Sequence, residues 1–76
     1  MNTTDHYIIR VKGSIGKSCR THFEGLTLQQ EADGNTSLSG WIDQSGLHGV
    51  LMLIRDLGLK LLQVEIVQTG YSKSIN

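Results

Sequence analysis

Gly13-Ser14-Ile15-Gly16-Lys17-Ser18 sets glycines before a lysine and a hydroxyl, the ingredients of a loop whose backbone amides and lysine cradle a phosphate. The nucleotide-binding form of that loop needs a further glycine five positions before Gly16, where this chain carries Val11. The segment therefore reads first as a strand-to-helix turn, with a small anion site at the helix start as its functional alternative. Cys19 and His22 stand three apart and would share one helix face, a spacing open to a thiolate–imidazole pair or to two metal ligands. Two ligands make no metal site, and nothing in the sequence brings His6 or His48 to complete one, so Cys19 reads as a small core residue and no metal or cofactor is expected.

Three further side chains are candidates for binding rather than chemistry. Trp41 is the sole tryptophan and ends a strand, where its ring could stack on a ligand or anchor a second molecule. Arg10 and Lys12 alternate onto the same sheet face as Trp41. Met52, with Ser45 and Gly49, makes a shallow apolar spot on the outside of a helix.

The elements that must position these residues are legible from periodicity. His6–Lys12 alternates, with Tyr7, Ile9 and Val11 on one side and Ile8, Arg10 and Lys12 on the other, a first strand. Ile15, Cys19, Phe23 and Leu26 recur at steps of four and three, which predicts a helix over Ile15–Glu24 closed by Gly25. Gly16, Ser18 and Thr21 are weak helix formers, so packing has to stabilise it. Leu26–Glu31 and Thr36–Ile42 alternate again around Asp33-Gly34-Asn35, a turn sequence that tolerates positive φ and predicts an antiparallel hairpin. Asp43 is placed to cap a second helix whose Leu47, Val50, Leu51, Ile54 and Leu57 fall on one arc, with Gly58 as its left-handed stop and Leu59 against Ile54. Leu61–Gln68 reads as the last strand, with Leu62, Val64 and Ile66 toward the core, and Thr69–Asn76 as a frayed tail.

Two crossovers joined by a hairpin predict an α+β fold of the ferredoxin-like βαββαβ kind. Its four-stranded antiparallel sheet would run in the order 4-1-3-2 with both helices on one face. The other face stays open and carries Ile8, Arg10, Lys12, Thr27, Gln29, Ser37, Ser39, Trp41, Gln63, Glu65 and Val67.

The 76 residues make one domain with a thin core, for which pairing with a second copy is a natural way to add burial. Seven basic and seven acidic side chains cancel, leaving no positive field to attract nucleic acid or an anionic membrane. A single cysteine permits no internal disulfide and points to a reducing, cytoplasmic setting. Met1-Asn2-Thr3-Thr4-Asp5 does not open a secretory signal, and no apolar run approaches the ~20 residues of a membrane span.

Tyr7-Ile8-Ile9-Arg10-Val11-Lys12-Gly13, Phe23-Glu24-Gly25-Leu26, Asp33-Gly34, Leu38-Ser39-Gly40 and Asp43-Gln44-Ser45-Gly46-Leu47-His48-Gly49-Val50-Leu51, followed by Arg55-Asp56-Leu57-Gly58-Leu59, resemble a widespread family of short bacterial proteins with no assigned function. The resemblance rests most on a pattern like D-Q-x-x-L-H-G-L-L before R-D-L-G-L. Many relatives carry tryptophans where Cys19 and His22 stand, which argues against those two as a necessary pair. Val11–Arg20 is also similar to the V-x-G-x-V-Q-G-V-x-F-R loop of acylphosphatase, with one residue deleted and the glutamine absent. That likeness would put the family's catalytic arginine on Arg20 and its water-orienting asparagine on Gln30. A longer amide at that position would misplace the water.

The expected function is a non-enzymatic interaction or regulatory module that forms homodimers and uses the open sheet face or the outside of the second helix. An unidentified protein partner is also open to such a surface. The alternative is a small anion-binding hydrolase built on Arg20, Gln30 and the Gly13–Ser18 turn.

Overall fold

The computed structural model describes residues 4–70. β1 (Asp5–Val11) buries Tyr7, Ile9 and Val11 and leaves the alternate residues partly accessible, as a strand covered on one face must. β2 (Thr27–Gln30) and β3 (Thr36–Ile42) form the expected hairpin, and β4 (Leu61–Thr69) closes the chain. All neighbours are antiparallel, in the order β2-β3-β1-β4, which counted from the β4 edge reads 4-1-3-2. Ile9, Val11 and Leu38 from the sheet meet Phe23 and Ile54 in one buried cluster.

α2 (Gln44–Asp56) is defined at both ends by its sequence. The Asp43 carboxylate accepts from the Gly46 amide at 2.7 Å, satisfying one of the free donors of the first turn. At the other end Gly58 takes φ +76°, its amide donates to Arg55 O and the Leu59 amide donates to Ile54 O, both at 3.0 Å. These two bonds are a Schellman ending, and Leu59 packs against the cluster that contains Ile54. Leu47, Val50, Leu51 and Leu57 pack on the same cluster, so the apolar arc of the sequence is the buried face.

Two expectations are corrected. The helix predicted over Ile15–Glu24 shrinks to α1 (Lys17–Arg20), one turn long, followed by a 3₁₀ turn at Thr21–Phe23. Gly16, Ser18 and Thr21 offer little intrinsic helicity, and only Phe23 from this segment is buried, so too little packing is available to extend it. Thr69, expected to open a frayed tail, instead ends β4, and the Gly70 amide donates to Asp5 Oδ1 at 3.1 Å; the rest of the predicted tail, 71–76, lies outside the described residues.

β4 departs from expectation in burial and, at two residues, in placement: the register shifts leave Leu62 and Val67 out of the ladder with β1, and Leu61 rather than Leu62 stands opposite buried Val11. Val64 pairs with Ile9 and Ile66 with Tyr7, which puts both on the core face of the sheet. Yet Ile9 is 1% exposed while Val64 is 38% and Ile66 51% exposed. α2 lies against β3, and two strand spacings of about 4.8 Å put β4 roughly 10 Å further out, a full helix diameter. The helical layer stops before it reaches this edge. Among the described residues no helix is long and apolar enough to cross a membrane.

Candidate functional site

The loop after β1 is held by its neighbour hairpin. Gly13 turns the chain at φ +79°, and both of its peptide groups are taken: its amide donates to Asn35 Oδ1 at 3.0 Å, and its carbonyl accepts from Thr36 Oγ1 at 2.7 Å. Asn35 is oriented in turn by Asp33, whose carboxylate accepts from the Asn35 backbone amide at 3.0 Å and from its side-chain amide at 3.1 Å. Asp33 thus fixes Asn35, and Asn35 with Thr36 fixes Gly13. Sequence reading took Asp33-Gly34-Asn35 only as a turn. The link across to Gly13 spans 22 residues and leaves no local pattern to detect.

Above this stitched loop lies a shallow cleft of about 80 Å³, lined by Ser14, Ile15, Arg20, Gln30 and Thr36. Arg20 and Gln30, paired in the sequence only through the acylphosphatase likeness, therefore share one hollow. A guanidinium, a carboxamide and hydroxyls, with Ile15 the one apolar side chain among them, suit a small oxyanion. Ser14, Arg20 and Gln30 are exposed, so water competes with any such contact. Cys19 is half-buried on α1 and His22 is exposed on the 3₁₀ turn. Among the described residues no group of three or more histidine, cysteine or acidic side chains could hold a metal ion.

On the open face Arg10 is the hub. Its Nε donates to both Glu31 oxygens at 3.2 Å, its Nη1 donates to Gln63 Oε1 at 2.7 Å, and Glu65 Oε1 lies 3.7 Å from the same Nη1. The guanidinium is thus committed to its own sheet, tying β1 to the end of β2 and to β4. Lys12 is exposed one step past β1, its backbone amide donating to Lys60 O. Trp41 sits cross-strand from His6, with the rings 5.2 Å apart and tilted by 44°. Since His6 and Arg10 are four residues apart, about 13 Å of strand separates that pair from the Arg10 hub. Arg10, Lys12 and Trp41 share a face without converging on one point. Met52 is 54% exposed on the outer side of α2, beside exposed Ser45, His48 and Gly49.

The two edges of the sheet differ sharply. β2 has four residues, Thr27-Leu28-Gln29-Gln30, mostly polar. β4 has nine, every one exposed, among them Leu61, Leu62, Val64, Ile66 and Val67. A long apolar edge with one charged residue, Glu65, and no proline is what a chain ordinarily avoids unless something covers it.

A family model matches residues 6–65, from the first residues of β1 into the middle of β4. The chain belongs to DUF8691, a domain of unknown function. The matched segment contains the cleft, the Arg10 hub, both ends of α2 and the first half of the apolar edge. No curated protein and no solved structure matches the chain.

Proposed function

We propose that this DUF8691 chain is a ferredoxin-like interaction module that self-associates, and that its working surface is the β4 edge together with the core-side face beside it. The observation that carries the reading is the exposure of Val64 and Ile66 opposite buried Ile9 and Tyr7. Core-facing side chains that the chain's own helices leave uncovered call for a cover from outside.

Magnitudes set the expected strength. Full burial of a Val, Leu or Ile side chain stabilises by about 1.5–3 kcal/mol, so covering the exposed half of one gives roughly 1 kcal/mol. Leu62, Val64 and Ile66 from two copies then contribute about 6 kcal/mol, against an association cost of at least ~4 kcal/mol. The surplus of about 2 kcal/mol falls short of the ~8 kcal/mol of a micromolar dimer, so main-chain bonds along the edge, at about 1 kcal/mol each, must supply roughly 6 kcal/mol more for the pairing to be seen at micromolar concentration. Light scattering across a micromolar concentration series tests this. Wild type should approach twice the chain mass, and Val64→Lys with Ile66→Lys should hold it at one chain mass with unchanged far-UV circular dichroism. A wild-type protein that stays monomeric throughout would refute the reading.

A second reading, a small anion-binding hydrolase, draws support from the meeting of Arg20 and Gln30 in one cleft. It expects inorganic phosphate to bind and Arg20→Ala to weaken that binding at least tenfold. Equal titration of the two proteins, with no acyl-phosphate turnover by either, would eliminate it.

A further inference from the structure

We infer that the cover on β4 is a second copy of this chain, paired antiparallel edge to edge about a two-fold axis at Val64. The inference rests on the self-association reading and specifies its geometry. β4 is an outer strand of the sheet, and its outward main-chain groups are unmatched by any strand among the described residues. A symmetric pair built on such an edge sets one residue opposite itself and its neighbours opposite each other in reciprocal pairs.

Two irregularities limit where that axis can lie. The β1–β4 register shifts between His6 and Tyr7 and between Arg10 and Val11, so the regular ladder of β4 runs from Gln63 to Ile66. Bulges bend and twist a strand, which confines straight outer pairing to the stretch between them. Val64 and Glu65 are the two residues at its middle. An axis at Glu65 would oppose two carboxylates at cross-strand distance, a destabilising arrangement. An axis at Val64 opposes Val64 to its own copy and Gln63 to Glu65 within the straight stretch, and brings Leu62, the bulge residue just outside it, toward Ile66.

That second arrangement satisfies both faces at once. On the core side Val64 meets its own copy and Ile66 meets Leu62 at the bulge, so the exposed side chains brought together there are all apolar. On the open side Gln63 already accepts from Arg10 through Oε1, so its amide hydrogens remain to donate across the seam to Glu65 of the other copy. Glu65 has only a 3.7 Å contact to Arg10, leaving its oxygens free to accept. The polar network that begins at Arg10 would continue into the second molecule. β2 offers no comparable edge, being short and polar.

Single cysteines in a Cys19→Ser background test the register. Oxidised Val64→Cys should cross-link to itself most completely. Leu62→Cys and Ile66→Cys should each cross-link poorly alone, because four strand steps, about 13 Å, separate the copies. Mixed together, those two should form the heterologous disulfide. Should Val64→Cys prove poorly folded, nitroxide labels on Gln68→Cys should lie about 26 Å apart for an axis at Val64, against about 20 Å for one at Glu65. A dimer by light scattering whose cross-linking peaks elsewhere, or is absent along β4, overturns this register and leaves self-association standing. A protein that is monomeric throughout the scattering series overturns both.

Discussion

Asn35 shows how much a single side chain can set in a domain this small. Its Oδ1 accepts the Gly13 amide while Asp33 accepts from its backbone and side-chain amides, so Asn35→Ala strands a partly buried donor and frees the loop that shapes the Arg20–Gln30 cleft. The expected loss is about 1–2 kcal/mol, read as a lower urea midpoint with an unchanged slope. Any oxyanion affinity of the cleft should fall with it. At this scale the sequence was legible where partners are close along the chain. Asp43 and Gly46 are three apart and the capping bond follows from residue type alone. Arg10 was legible as an open-face residue, whereas its bonds to Glu31 and Gln63 cross 21 and 53 positions and depend on sheet order.

At the scale of elements, the strength of local signals separates the two helices. α2 has a cap, an uninterrupted apolar arc and a left-handed glycine, and its sequence-based limits agree with the structure. Gly58→Ala should cost about 1–2 kcal/mol by forcing a Cβ into the left-handed region, although nothing lies within 4 Å of that position to clash. Thermal unfolding should register it as a drop of several degrees, while Gly49→Ala, in open space within the same helix and without the positive φ, should be neutral or stabilising. α1 had only the spacing of Ile15, Cys19 and Phe23, and spacing without propensity gave one turn instead of ten residues. The hairpin was readable because Gly34, at φ +91°, stands where the turn needs it.

For the whole molecule, the decisive feature was hidden from periodicity. Alternation places Val64 and Ile66 on the core face, and the register with Ile9 and Tyr7 agrees, but alternation says nothing about how far a helix extends across a sheet. With α1 reduced to a turn and α2 set against β3, the layer is too narrow for four strands. The uncovered column is the one at the β4 edge. Self-association through that edge would complete the core and extend the sheet together, and it accounts for why a long apolar edge coexists with a short polar one. It also implies that stability rises with protein concentration, as for any chain whose folded form alone binds its copy. Amide hydrogen exchange along the wild-type sheet, followed from dilute to concentrated protein, tests this most directly. The β4 amides that point away from β1 should slow with concentration while those on the outer edge of β2 do not change. Concentration-independent exchange at both edges would contradict the account.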